Sequence, residues 1–178
     1  MSVSIKKICA IGLGIALYVV LALCLQVPVF ENYYLCLGYV AMAVYCYSFG
    51  PWAGAAVGSL GVVLYCLLIN GLRGMPGWAM GNLLIGIALG LTFRFTRKID
   101  AAPLRWAVVV LAVVISTAVG ILLLKSVTEC VLYAQPMVVR IAKNIYAFVA
   151  DVVMLLISLP LCVQLDKTLH RHFPALLK

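Results

Sequence analysis

The sequence GMPGWAMGNLLIGIALGL, residues 74–91, is mostly apolar and contains no charged side chain. A run rich in turn residues, NGLRGMPG at positions 70–77, leads into it, and Arg94 is the first charged residue after it. About 20 predominantly apolar residues are enough to cross a hydrocarbon core of about 30 Å. This stretch therefore predicts a membrane-spanning helix.

Working outward from residues 74–91, other apolar runs end at charged residues, proline or glycine in the same way. The predicted spans cover residues 8–25, 34–49, 53–69, 78–93, 106–124 and 145–163. The sequence therefore predicts an all-α integral membrane protein, a compact six-transmembrane-helix bundle that forms a single domain over residues 1–178.

The composition agrees with a chain that lies mostly in lipid. Of the 178 residues, 66% are hydrophobic and 10% are charged, whereas soluble domains carry about 25% charged residues. The net charge of +8 comes from basic residues that cluster at span ends, so membrane topology explains it and nucleic acid is not an expected partner.

The residue types that support catalysis or metal binding do not form recognisable motifs. The seven cysteines include no CxxC pair, and His170 and His172 have no cysteine or carboxylate arrangement around them, so neither a zinc site nor a disulfide framework is expected. HExxH, GxSxG and Walker lysine motifs are absent from the sequence. The chain is not expected to be an enzyme or to need a cofactor.

Counting lysine and arginine on each side of the predicted spans gives the orientation. With both termini in the cytoplasm, nine basic residues lie inside: Lys6, Lys7, Arg94, Arg97, Lys98, Arg105, Lys167, Arg171 and Lys178. Four lie outside: Arg73, Lys125, Arg140 and Lys143. Cytoplasmic termini are therefore favoured, and the loops around Glu31, Arg73 and Arg140 face outward.

Residues 125–144 allow two interpretations, because polar residues such as Glu129 and Arg140 alternate there with apolar runs. Either the fifth span is long and tilted, or an outer hairpin or interfacial helix folds back over the bundle. We favour the second.

Small residues four apart recur on several spans and predict close helix contacts. The stripes are Gly12 with Ala16 and Ala10 with Gly14 on the first span, Gly54, Gly58 and Gly61 on the third, and Asn82, Gly86 and Gly90 on the fourth. Those on the third and fourth spans favour internal packing. For the first span, internal packing and an external docking face are equally favoured, since periodicity cannot separate them.

Polar and aromatic residues near the outer ends of the spans are candidates for a ligand site, because polar groups inside a membrane are costly and often functional. The candidates are Asn32, Tyr33, Tyr39, Asn70, Arg73, Trp78, Asn82, Asn144 and Asp151. Plainer roles stay open: Trp78 and Tyr33 in an interfacial aromatic belt, Arg73 as a solvated charge, Asn70 in a turn, and Asp151 paired with a base or hydroxyl to lock the bundle.

The layout, together with FGPWAGAAVGSLG (residues 49–61) and PGWAMGNLLIGIALG (residues 76–90), resembles the substrate-binding S components of energy-coupling-factor (ECF) vitamin transporters. The resemblance implies a multi-pass protein of the cell membrane that captures a vitamin outside. A transmembrane scaffold subunit of the EcfT type and two cytoplasmic ATPase subunits would drive its release inside. The resemblance also implies that the scaffold docks on the small residues of the first span, Ala10, Gly12, Gly14 and Ala16.

The ligand itself is open. A site of amides and aromatic rings suits a neutral or zwitterionic compound, with cobalamin first and a pyridoxine-type vitamin, a pyrimidine precursor or a queuosine precursor close behind. Two other classes compete with the transporter subunit: a stand-alone ion-coupled secondary transporter using Asp151 and Glu129, and a non-transporting membrane accessory protein.

Overall fold

The computed structural model describes residues 5–24, 26–30, 33–70 and 75–172. Nearly all of this part of the chain is helical. The elements are α1 (Ile5–Cys24), β1 (Gln26–Phe30), β2 (Tyr33–Cys36), α2 (Gly38–Phe49), α3 (Pro51–Tyr65) with a π-helical end (Cys66–Asn70), α4 (Met75–Thr96), α5 (Ala102–Thr117), a π-helical segment (Ala118–Lys125), α6 (Ser126–Tyr133) and α7 (Met137–His172). The prediction of a helical membrane bundle is confirmed.

Within the described residues, five continuous helices are long and apolar enough to cross a membrane: Ile5–Cys24, Pro51–Ile69, Met75–Thr96, Ala102–Tyr133 and Met137–His172. The remaining helix, α2, has 12 residues. At 1.5 Å per residue it is only about 18 Å long, shorter than the hydrocarbon core. The second span, predicted over residues 34–49, is therefore shorter in the structure, where the helix covers Gly38–Phe49.

An antiparallel hairpin of β1 and β2 precedes α2, and it accounts for this difference. The predicted second span began at residue 34, which the structure places in β2. The hairpin sequences, QVPVF and YYLC, consist mostly of apolar and aromatic residues and contain no charge. Hydropathy therefore could not separate the strand from the helix that follows it.

The favoured expectation of an outer hairpin or interfacial helix at residues 125–144 is wrong. A 32-residue helix, Ala102–Tyr133, continues into this region without a break at Lys125, and α7 begins at Met137 after a short turn. Ser126 and Glu129 do not end the helix, because both are buried and bond to Asn144 of α7. The helix ends only at Ala134, which adopts a left-handed conformation with φ of 50°.

The helix α2 lies in the middle of the bundle, in contact with α1, α3, α4 and α7. Eight of its 12 residues are buried. It ends at Gly50, whose φ of 92° lies in a region that glycine adopts at little cost. Pro51 then starts α3 at a position where its missing N–H is tolerated. The predicted break at Gly50 and Pro51 is confirmed, and the tight reversal packs α2 against α3.

The helices α3 and α4 pack against each other through glycine. A Cβ placed on Gly86 of α4 would lie 2.5 Å from the Cα of Ala55 on α3. One placed on Gly90 would overlap Pro51. Backbone contact at this distance is possible only without a side chain, so the internal packing predicted for the stripe on the fourth span is confirmed.

Candidate functional site

A group of polar side chains lies in the interior of the bundle, centred on Tyr39 at the start of α2. The Tyr39 hydroxyl lies 2.7 Å from Oδ2 of Asp151 on α7 and 2.8 Å from Oδ1 of Asn82 on α4. It also accepts a hydrogen bond of 2.9 Å from the indole Nε1 of Trp78. Since a phenol has a single proton, Tyr39 donates to only one of the two oxygens at a time.

Asn82 extends this group to the first and third helices. Its Nδ2 donates to the Tyr18 hydroxyl and to the carbonyl oxygen of Gly58, both at 3.2 Å. Asn82, Tyr18 and Tyr39 are each 0% exposed. We refer to Tyr18, Tyr39, Trp78, Asn82 and Asp151 as the Tyr39 cluster.

The Tyr39 cluster joins four helices and the hairpin. The thiol of Cys36, in β2, donates to the Tyr18 hydroxyl at 3.7 Å. Burial raises the pKa of the Cys36 thiol to about 12, so this thiol stays protonated and remains a donor at neutral pH. Because buried polar groups without partners destabilise a structure by about 1–3 kcal/mol each, these bonds fix α1, α2, α4 and α7 relative to one another.

A second polar group lies between α6 and α7. The Nδ2 of Asn144 donates to the Ser126 hydroxyl at 2.9 Å and lies 3.4 Å from the Glu129 carboxylate. Arg140 forms an ion pair with the same carboxylate at 3.5 Å. Together with Lys125, these residues form what we call the Glu129 cluster.

Lys125 connects the two clusters. It is the last residue of the π-helical segment, and only 8% of it is exposed. Its ammonium group is attracted by the carboxylates of both Glu129 and Asp151. The neighbouring Gly77 of α4 packs against Glu129 and Lys125, one residue before Trp78. The two clusters therefore border each other, with Trp78 close to both.

The arrangement provides hydrogen-bonding groups and aromatic faces. Trp78 is half-buried and packs edge to face against Tyr65, with ring centroids 5.9 Å apart. The described residues contain no group of histidine, cysteine and carboxylate side chains that could hold a metal ion. Such a site can bind a small molecule by hydrogen bonds and ring contacts.

The structure brings together four of the predicted site residues, Tyr39, Trp78, Asn82 and Asp151, in the Tyr39 cluster. Asn144 lies in the Glu129 cluster. Asp151 pairs with the Tyr39 hydroxyl, which agrees with the alternative that it locks the bundle by pairing with a base or a hydroxyl. Asn32 and Arg73 lie outside the described residues, as do the side chains of Tyr33 and Asn70.

Several members of the two clusters were not among the predicted site residues. Tyr18 is one of them, and its only signal in the sequence is a hydroxyl inside an apolar helix. The charges of Lys125, Glu129 and Arg140 favour an outer loop when the sequence is considered alone. Arg140 and Asn144 are four residues apart, which places them on one helix face. This spacing is the signal in the sequence that indicates a shared polar cluster on a helix.

The small residues of α1 divide into two sets. A Cβ placed on Gly14 would meet the ring of Tyr45 at 2.6 Å, and the Tyr45 hydroxyl donates to the carbonyl oxygen of Ala10 at 2.8 Å. In contrast, no atom of the described residues lies within 4 Å of a Cβ placed on Gly12, and both Gly12 and Ala16 are exposed. Ala10 and Gly14 therefore pack inside the bundle, while Gly12 and Ala16 face outward.

Comparison with known proteins gives a family match over nearly the whole chain. A family model described as "ECF-type riboflavin transporter, S component" matches residues 2–167. A UPF0397 protein of Streptococcus thermophilus (strain ATCC BAA-491 / LMD-9) is 24% identical over 160 residues, which cover 87% of this chain and 86% of that protein.

Other relatives match over shorter regions. A UPF0397 protein of Lactococcus lactis subsp. cremoris (strain NZ9000) is 33% identical over 90 residues, 49% of this chain and 48% of its own length. One from Lactobacillus johnsonii (strain CNCM I-12250 / La1 / NCC 533) is 32% identical over 89 residues, with 49% and 48% covered. This chain thus aligns with about half the length of these two relatives.

Proposed function

This chain belongs to the family of ECF-type riboflavin transporter S components, and we propose that it captures a vitamin or related micronutrient for import across the cell membrane. S components are the substrate-binding subunits of transporters and not enzymes. The observation that carries the proposal is the Tyr39 cluster, where side chains from α1, α2, α4 and α7 meet inside a membrane bundle.

We assign the hairpin end of the bundle to the outside. The nine-to-four distribution of basic residues supports six spans, including the short α2, with both termini in the cytoplasm. Tyr39 is the second residue of α2, directly after the hairpin, and Trp78 is the fourth residue of α4. Tyr39 and Trp78 then lie about one turn from the outer ends of their helices.

Binding exchanges internal hydrogen bonds for bonds to the ligand. Trp78 is the half-buried member of the Tyr39 cluster, so its indole N–H and ring face are the groups most easily turned to a ligand. The two acidic side chains of the clusters, Asp151 and Glu129, are accompanied by two basic ones, Lys125 and Arg140. This balance supports a neutral or zwitterionic ligand with a ring and amide groups, as opposed to a dianion.

Riboflavin is the first compound to test, because the matching family model is described by it. Cobalamin, pyridoxine-type vitamins, pyrimidine precursors and queuosine precursors complete the panel. The same proposal includes Asn32, Tyr33, Asn70, Arg73 and Asn144 as further ligand contacts from the outer ends of the spans.

Transport then depends on partners that supply energy. The proposed partners are a transmembrane scaffold of the EcfT type and two cytoplasmic ATPases. Gly12 and Ala16 present an outward, small-residue surface on α1, and a second helix can approach such a surface closely. We assign scaffold docking to this pair, and not to Ala10 and Gly14, which contact Tyr45.

The direct test is calorimetry on the purified full chain in neutral detergent with each compound of the panel. We expect one compound to bind with a Kd of about 1 μM or tighter, the range of capture from dilute solution. Binding of none of them would contradict the proposal. Uptake into proteoliposomes by this chain alone, driven by a proton gradient, would favour the secondary transporter instead.

A matched pair of tryptophan variants assigns the binding to the Tyr39 cluster. Trp78→Phe keeps a ring but removes the indole N–H, and we expect binding of the identified compound to weaken about tenfold, the cost of one hydrogen bond. Trp52→Phe makes the same change at a position that is 76% exposed and remote from the cluster, so binding should not change. Equal effects of the two variants would remove Trp78 from the site.

A further inference from the structure

A groove with mostly basic side chains lies where α4 and α7 end, at the opposite end of the bundle from the hairpin. The groove has a volume of about 600 Å³ and opens to the surface. It is lined by Arg97, directly after α4, and by Asp166, Lys167, His170 and Arg171 at the end of α7. None of these residues belongs to the Tyr39 cluster or to the outward face of α1.

The side chain of Arg97 is fixed by contacts with Tyr47 of α2 and Asp166 of α7. Its guanidinium donates to the carbonyl oxygen of Tyr47, at 2.7 Å, and lies over the Tyr47 ring, 4.9 Å from the centroid. It also lies 3.6 Å from the carboxylate of Asp166. Three contacts to α2 and α7 orient the side chain before any ligand arrives, which lowers the entropy lost on binding.

The remaining cations of the groove point to an anionic ligand. Lys167 and Arg171 are exposed and four residues apart, so they lie on one face of α7. The one acidic residue, Asp166, is shared between Arg97 and His170, each at 3.6 Å. Three permanent positive charges against one negative charge leave the groove with an excess of two.

The depth of the groove matches the lipid headgroups. With 22 residues, α4 is about 33 Å long, close to the thickness of the hydrocarbon core. Arg97 follows its last residue and therefore lies at the membrane surface. Large apolar side chains are exposed just below: Phe95 is 63% exposed, Leu165 42% and Leu161 41%. An acyl chain can cover them while its headgroup occupies the groove.

We propose that this groove binds the phosphodiester headgroup of an anionic phospholipid of the inner leaflet. Basic pockets between membrane helices on the cytoplasmic side are suited to such headgroups. A soluble phosphate would satisfy the charges but would leave the adjacent apolar side chains uncovered. The lipid would connect the ends of α4 and α7, which Arg97 and Asp166 already bridge.

The test uses the full chain in nanodiscs of phosphatidylcholine that contain a minority of phosphatidylglycerol. Native mass spectrometry of the released protein measures which lipid it retains. We expect the unaltered chain to retain one phosphatidylglycerol in preference to phosphatidylcholine. The double variant Lys167→Gln/Arg171→Gln should lower this retention at least tenfold, since each basic residue at a membrane surface contributes about a fivefold factor in affinity.

The matched control is Arg94→Gln/Lys98→Gln, which removes two exposed charges from the same end of the bundle but outside the groove. Its retention of phosphatidylglycerol should equal that of the unaltered chain. Equal losses in both double variants would show a general surface attraction and overturn the site. So would an unchanged Lys167→Gln/Arg171→Gln variant. If inorganic phosphate displaces the phosphatidylglycerol, the ligand of the groove is a free anion and the lipid proposal is overturned.

Discussion

Gly12 of α1 and Gly86 of α4 each have a small residue four positions further along the sequence, but their surroundings in the structure are opposite. A Cβ on Gly86 of α4 would lie 2.5 Å from the backbone of Ala55, whereas a Cβ on Gly12 of α1 would have no atom within 4 Å in the part of the chain that the structure describes. One stripe is filled by a neighbouring helix of the same chain. The other is left open on the surface of the finished bundle.

This difference shows what an open small-residue stripe means in a membrane. Lipid chains are as apolar as leucine, so helices associate through close van der Waals contact and not through a hydrophobic driving force. A stripe that none of the described helices covers is a position where a helix of another chain can come close.

The closed stripe should not tolerate a large side chain. Gly86→Leu forces α3 and α4 apart, because the contacting atoms belong to the backbone and cannot move aside. We expect a loss of more than about 3 kcal/mol of unfolding free energy, enough to prevent recovery of folded monomer in detergent. Size-exclusion chromatography and circular dichroism measure this. A folded, monodisperse Gly86→Leu protein would contradict the close α3–α4 contact.

Beside the same stripe, Asn82→Leu should produce the next largest effect. Leucine has the branched shape of asparagine but makes no hydrogen bonds, so Tyr18 loses one of its two donors and Tyr39 loses an acceptor. We expect a loss of about 2 kcal/mol, seen as a lower midpoint of thermal unfolding. Leu83→Asn serves as a control of position, since it changes a half-buried neighbour outside the cluster. An unchanged midpoint for Asn82→Leu would show that the network does not stabilise the bundle.

A smaller effect is expected for Tyr39→Phe, which removes only the hydroxyl. Trp78 then loses its acceptor, and the contact with Asp151 disappears. The expected loss is about 1 kcal/mol, because neighbouring polar groups can partly re-pair. Tyr45→Phe removes a single bond to the Ala10 carbonyl and should have a smaller effect in the same thermal unfolding assay. The reverse order would place the main polar anchor of α2 at Tyr45.

The open stripe should show almost no loss of stability. Gly12→Leu places its side chain in open space, so thermal unfolding of the isolated chain should not change measurably. Co-purification with the scaffold subunit should be lost, because the added side chain holds the two helices apart. Gly14→Leu is the matched comparison: it meets the Tyr45 ring and should destabilise the chain itself. Normal scaffold binding by Gly12→Leu would remove this face from the docking surface.

Much of the site could be predicted from residue type, and much of it could not. Asn82, Tyr39 and Asp151 are conspicuous because polar groups are rare in apolar helices. Tyr18 was not selected, since a tyrosine in the first span has many possible partners in the sequence. In the sequence, the charges of Glu129 and Arg140 indicate a loop. Their mutual pairing, which lets both stay on helices, depends on the fold of α6 against α7.

The sequence by itself determined that this chain is a bundle of membrane helices, because the length and apolarity of each run set the free energy of insertion into lipid. It also determined where small residues permit close contact. Only the tertiary structure decided which small-residue stripe is filled, where the hairpin replaces the start of a helix, and how Lys125 and Glu129 remain inside the bundle. The reason is physical: insertion depends on each segment alone, whereas burial and pairing depend on which segments become neighbours.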